Sequence, residues 1–333
     1  MQYRTVKGFT SAGALGMLLV FLGLGFILAG ISQFIIGMKM VPEGTPMEKM
    51  GDLLLKAMLA PENVGLARLS QLLGTLFMLF VPVVLYSLVV NGKNTFWLGF
   101  NKHVSPRQII IGFGIIFFAN MMSVPIADLS KSIVANFPKL DAYAKNLEDM
   151  YNQQVVALSN LKSWPEYLMA IFIMAFCPAL FEELFFRGGL QNIFEKWWKS
   201  PFMAILISSI IFSLIHFSIY LFLTRLVLGF VLGMMYYKTK NIWVNIVAHF
   251  LNNAFAVTQL FILSRQNKPL NVEDTEFKIT WWMGLIALAI VVALFKALEK
   301  ISADKKARIA AQEQVLLAKE DPFRNFANDI KNN

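Results

Sequence analysis

Uninterrupted apolar runs of about twenty residues constrain this chain more than any other feature, because a helix of that length crosses a bilayer core of roughly 30 Å. Eight such runs lie near residues 11–37, 69–90, 106–127, 165–187, 202–221, 222–237, 242–263 and 280–298. In lipid every backbone polar group needs a partner within the segment, so the runs are read as helices. The expected fold is all-α and polytopic, with about eight transmembrane helices. Composition agrees, since 57% of the 333 residues are hydrophobic and 15% charged, against about 25% charged in soluble domains.

Arg4 and Lys7 precede the first run, which is longer than the roughly 7–15 residues of a signal-peptide core, so it is read as a retained span. The net charge of +9 could serve a nucleic acid, but sorting of bases to one side of the membrane explains it better, and no nucleic-acid partner is expected. Lys93, Lys102, Arg107, Lys196, Lys199, Lys238 and Lys240 fall in alternate connections. The other connections mix signs, as in Glu43, Glu48, Lys49 and Asp52, in Asp141, Lys145, Glu148 and Asp149, and in Glu273, Asp274 and Glu276. By the positive-inside rule both termini are cytoplasmic. The single Cys177 excludes intrachain disulfides and multi-thiolate zinc sites, and in its apolar run it reads as a small buried hydrophobe.

Three regions follow. Residues 1–164 hold spans one to three with two long connections, 38–68 and 128–164, expected to form amphipathic helices on the outer interface. Residues 165–263 hold the polar residues of interest, and 264–333 the last span with a charged cytoplasmic tail.

Phe181-Glu182-Glu183-Leu184-Phe185-Phe186-Arg187 places two carboxylates and an arginine inside the fourth run. A charge at that depth costs roughly 3 kcal/mol even on lenient scales, so it marks a functional-site candidate that needs partners. Glu183 and Arg187 stand at i, i+4 in the favourable acid-to-base order and read as a structural ion pair. Glu182, about 100° around the helix, is left as the reactive carboxylate. Pro178, one turn earlier, removes a helix hydrogen bond and is expected to kink the helix there. His103 sits in a charged loop and reads as solvated, whereas His216 and His249 lie within the fifth and seventh runs, with Asn253 one turn beyond His249 on the same face. Polar groups from three helices can therefore converge.

Glu182-Glu183-x-x-x-Arg187, Phe212-x-x-x-His216 and His249-x-x-x-Asn253, in that order in successive membrane segments, resemble the CPBP family, which includes CAAX prenyl protease type 2 and bacterial abortive-infection-like intramembrane proteases. The likeness covers about 165–260, and Asn245 departs from it where many relatives have proline. The resemblance implies a CAAX-protease-like helical bundle and an intramembrane endopeptidase whose site opens toward the cytoplasm. Carried over by position, Glu182 and His216 would activate water, His249 and Asn253 would stabilise the oxyanion, and Glu183, Arg187 and Phe212 would support them. Glu182, His216 and His249 could also hold a zinc ion as a metalloprotease set, but no His-Glu-x-x-His signals one, and the metal-free glutamate scheme is preferred. The implied substrate is a peptide or membrane protein, prenylated or not, and Ile, Lys and Asn usage points to a bacterial inner membrane. The competing readings are a non-catalytic membrane scaffold and a proton-coupled transporter using the same buried polar groups.

Overall fold

The computed structural model describes residues 5–159, 161–265 and 278–320. Arg4, the acidic group Glu273, Asp274 and Glu276, and the end of the tail lie outside them. The chain is all-α: α1 (Ser11–Met38), α2 (Met47–Leu59), α3 (Pro61–Val90), α4 (Pro106–Val134), α5 (Pro138–Leu158), α6 (Trp164–Trp198), α7 (Pro201–Leu214), α8 (Phe222–Thr239), α9 (Ile242–Ser264) and α10 (Trp281–Glu320). Among the described residues six helices, α1, α3, α4, α6, α9 and α10, are long and apolar enough to cross a membrane, which makes this a multi-pass membrane protein.

Helix boundaries follow local chemistry. Thr10, Ser200 and Asn241 accept a backbone N–H at the starts of α1, α7 and α9, and Ser163 with Glu166 forms a reciprocal capping box at the start of α6. Within α6 the hydrogen bonding widens to π-type over Ile171–Phe176, directly before Cys177-Pro178, and α3 does the same over Leu76–Phe80 before Pro82. Proline has no N–H and its ring crowds the carbonyl four residues back; a wide turn relieves both. The expected disturbance at Pro178 is therefore met inside one continuous helix.

Two apolar cores flank the centre. One joins α1, α3, α6 and α7 through Leu18, Val83, Phe181, Phe186 and Ala204; the other joins α4, α8, α9 and α10 through Ile115, Leu232, Val244 and Leu298. Cys177 is buried in the first. Gly229 and Gly233 of α8 pack within the fold: a Cβ at Gly229 would meet Phe212 at 3.1 Å, and one at Gly233 would meet Ile205 at 2.8 Å.

One expectation needs correction. The fifth run does not stay helical to residue 221: α7 ends at Leu214, and 215–221 form a turn, so His216 lies just past a helix end. The turn is set by polar contacts. Ser213 Oγ donates to Phe222 O at 2.6 Å, Arg225 Nη1 donates to His216 O at 3.2 Å, and Phe217 takes a left-handed φ of 49°. The long connections do form helices, α2 and α5, but they contribute Met58, Tyr151, Gln154 and Leu158 to an internal cavity as well as covering a surface.

Candidate active site

Adjacent positions on α6 turn about 100° apart, which sends the two carboxylates to different surroundings. Glu183 points into the interior and is wholly buried. Its Oε1 accepts from Arg187 Nη1 at 3.1 Å and from His249 Nδ1 at 2.9 Å, and its Oε2 accepts from Asn245 Nδ2 at 3.1 Å. Arg187, also buried, donates from Nη2 to Gly229 O at 3.0 Å and stacks over the Phe212 ring at 5.1 Å. That backbone carbonyl is within reach because Gly229 leaves α8 bare of a side chain. One turn further, Gln191 Nε2 donates to Gly233 O at 3.0 Å, repeating the device. An ion pair at this depth is expensive to desolvate and is tolerated only with its remaining hydrogen-bonding positions filled.

Glu182 points the other way, into a cavity of about 600 Å³ that it lines together with His216, His249, Asn253, Arg225 and Pro178. Its Oε2 is 3.9 Å from His249 Nε2. The Glu183 carboxylate can only accept, so His249 carries its proton on Nδ1 toward Glu183, and Nε2 is the nitrogen turned to Glu182 and the cavity. The same reasoning applies to His216. Its Nδ1 lies 2.7 Å from Phe212 O, a carbonyl that can only accept, so Nε2 is its unprotonated nitrogen in the neutral form. Phe212 also packs at a tilt against the His216 ring, with centroids 4.8 Å apart.

Asn253 is oriented by a relay of side-chain amides. Asn120 Nδ2 donates to Asn252 Oδ1, and Asn252 Nδ2 donates to Asn253 Oδ1 at 3.4 Å. With its oxygen engaged, the Asn253 amide nitrogen is its remaining polar group. Glu182, His216, His249 and Asn253 therefore share one cavity, while Glu183 and Arg187 lie outside its lining. Among the described residues no group of three or more His, Cys, Asp or Glu side chains is arranged to hold a metal ion, and Glu182, His216 and His249 do not form one.

Sequence reasoning missed Gln191, Asn252 and Asn120, and it noticed Asn245 without its role. Periodicity offered a signal for two of them. Asn245, His249 and Asn253 step by four along α9, and Glu183, Arg187 and Gln191 step by four along α6, so each set shares one inward face. Asn245, where the chain departs from the family pattern, supplies a donor to Glu183 and a second bond to Leu232 O at 2.8 Å.

Comparison with known proteins points to the same segment. Residues 164–255 match the family model described as type II CAAX prenyl endopeptidase Rce1-like. A putative membrane peptidase, YdiL, of Bacillus subtilis is 34% identical over 90 residues, 27% of this chain and 36% of that protein. An uncharacterized protein of the same organism, YpbD, is 31% identical over 123 residues, 35% of this chain and 58% of that protein. The chain thus aligns with about a third to just over half of these relatives' length. No solved structure matches it. Residues 164–255, which carry all three polar motifs and the cavity floor, are thus the part of this chain that is similar to the Rce1-like CAAX prenyl endopeptidase family.

Proposed function

We propose that this chain is an intramembrane endopeptidase acting through Glu182 on a peptide or membrane-protein substrate. The observation that carries the proposal is the split of two adjacent carboxylates, one locked in a buried ion pair and the other facing two imidazoles and an amide across a cavity. Peptide hydrolysis needs a base for water and donors for the developing oxyanion, and a site screened from bulk solvent raises the value of both.

The steps follow from which atoms are committed. Water sits between Glu182 and His216, donating one hydrogen to the Glu182 carboxylate and the other to His216 Nε2. Glu182 takes its proton as the water oxygen bonds to the scissile carbonyl carbon. The carbonyl π electrons move to oxygen, and the oxyanion accepts a hydrogen bond from the Asn253 amide, with the His249 ring beside it. Collapse of the intermediate breaks the C–N bond, and Glu182 returns its proton to the leaving amine. Glu183 holds the His249 ring by Nδ1, and the Asn120–Asn252 pair holds Asn253; these are positioning residues.

Peptide mapping of cells lacking this gene, complemented with wild type or Glu182→Gln at equal membrane levels, tests the proposal. New peptide ends that appear only with wild type identify a protease, its substrates and its cleavage rule. Identical peptide profiles in the two complemented strains overturn it.

A further inference from the structure

A second hollow lies behind α6. Positions 180 and 184 stand about 200° around the helix from Glu182, on the side away from the cavity, and Leu180 and Leu184 form one wall of a groove of about 720 Å³. The facing wall is α3, where Phe80, Val84 and Leu88 recur at intervals of four and so share one helix face. At the inner end Phe80 meets Phe181, with ring centroids 5.0 Å apart. Ten residues of α3 separate Phe80 from the helix end at Val90, a path of roughly 15 Å at 1.5 Å per residue. That is the depth of one leaflet in a hydrocarbon core of roughly 30 Å.

The mouth of the groove is polar and carries one sign of charge. Lys93 follows the end of α3, Lys102 precedes the start of α4, and both helices are long and apolar enough to cross a membrane. Trp243, at the start of α9, lies at the same mouth, and its ring meets Phe100 with centroids 5.1 Å apart. Three helix ends therefore place the mouth at a membrane interface, where tryptophan is favoured. The connection 91–105 is held in place: Ile242 N donates to Gly99 O at 3.0 Å, Asn241 Nδ2 to Asn101 Oδ1 at 2.7 Å, and Asn101 Nδ2 to Lys240 O at 3.0 Å. No Asp or Glu occurs in that connection or in the groove lining. Lys93 and Lys102 are exposed, and among the described residues neither makes an ion pair. Lys196 and Lys240, close to the same connection, each hold a glutamate.

We propose that this groove binds one anionic phospholipid, its phosphate held by Lys93 and Lys102 and one acyl chain lying along α3 and α6 behind the Glu182 segment. Two unpaired cations at the interface supply the charge complement of a phosphate, and the apolar walls run one leaflet deep below them. A peptide strand suits the groove poorly, because below the mouth Ser87 is the only polar side chain in the described lining, and backbone groups need partners in a dry site. An acyl chain brings no such groups.

Native mass spectrometry of the purified full chain in mild detergent, titrated with dioleoyl phosphatidylglycerol or dioleoyl phosphatidylcholine, tests the proposal without any cleavage assay. The chains of the two lipids are the same, so the difference reads the headgroup. One copy of phosphatidylglycerol is expected to bind roughly tenfold more tightly than phosphatidylcholine, in keeping with two lysines near an anionic headgroup. Lys93→Gln/Lys102→Gln, at exposed positions, is expected to remove that preference. Lys139→Gln/Lys145→Gln, which removes the same charge from exposed positions on α5, is expected to keep it. Val84→Trp, which fills the groove, is expected to weaken both lipids about tenfold. Equal binding of the two lipids by the parent chain, equal loss of preference in the two lysine pairs, or unchanged binding in Val84→Trp overturns the proposal.

Discussion

Replacing Glu183 by Gln tests the division of labour between the adjacent carboxylates. Glu183 receives three donors with its two oxygens, from Arg187 and His249 at Oε1 and from Asn245 at Oε2. Glutamine keeps one acceptor oxygen and turns an NH₂ toward at least one of those donors, while Arg187 stays buried with Gly229 O as its remaining hydrogen-bond acceptor. Removing one partner of a buried pair costs about 3–5 kcal/mol, most of it from the charge left behind. Glu182→Gln removes a carboxylate that faces the cavity and meets His249 only at 3.9 Å, so its stability change is expected within about 1 kcal/mol. Denaturant unfolding of the purified protein in mild detergent, with each variant beside wild type, measures the gap. The double variant Glu183→Gln/Arg187→Leu removes both charges and is expected to recover about 1–3 kcal/mol relative to the sum of its single changes. Equal stabilities for Glu183→Gln and Glu182→Gln, or strict additivity in the cycle, would refute the reasoning.

Other substitutions separate chemistry from support. Glu182→Gln is expected to lower cleavage by roughly 10²–10⁴-fold with the fold intact, read as wild-type-dependent peptide ends against unfolding midpoint. Asn253→Ala is expected to lower kcat by about 10²–10³-fold, whereas Asn252→Leu, acting through Asn253, loses less and mainly in kcat. Asn245→Ala strips a donor from Glu183 and from Leu232 O, and is expected to cost about 1–3 kcal/mol by denaturant unfolding. Gly188→Ala drives a Cβ against the Leu98 carbonyl, where backbone cannot yield cheaply, with about 1–3 kcal/mol expected on the same assay.

Much of the framework was legible because bilayer length and hydropathy act on whole segments: the bounds of α1, α9 and the start of α4 follow directly from the apolar runs. The polar residues were legible because charge in lipid is rare and therefore conspicuous. The end of α7 was not. Phe217, Ile219, Leu221 and Phe222 keep the hydropathy high across a turn whose shape is fixed from outside, by Glu148 to Ser218 at 3.2 Å and Asp141 to Tyr220 at 2.6 Å, both reaching over from α5. Those contacts join residues some seventy to eighty positions apart, which no local pattern reports. The wide turns before Pro178 and Pro82 escaped for another reason: a π-turn differs from an α-turn by a single residue and leaves composition unchanged. The role of Asn245 was hidden because a carboxamide in a span is equally suited to many partners, and only Glu183 opposite makes it a clamp.

The wide turns on either side of Glu182 and Glu183, over Ile171–Phe176 and Leu184–Gln191, bear on how such a site is kept through sequence change. Where two like residues stand side by side, phase is information: a shift of one position would put Glu183 in the cavity place and Leu184 in the buried one, or, in the other sense, bury Glu182 and turn Phe181 to the cavity. Each π-turn holds one residue more than the α-helical path, so it rotates the downstream helix without breaking the rod. The short α-helical piece Cys177–Glu183 is thus a phase-locked insert between two adjustable couplings. A deletion in the outer half of α6 can be absorbed by tightening the first wide turn, and one in the inner half by tightening the second, before either carboxylate loses its place.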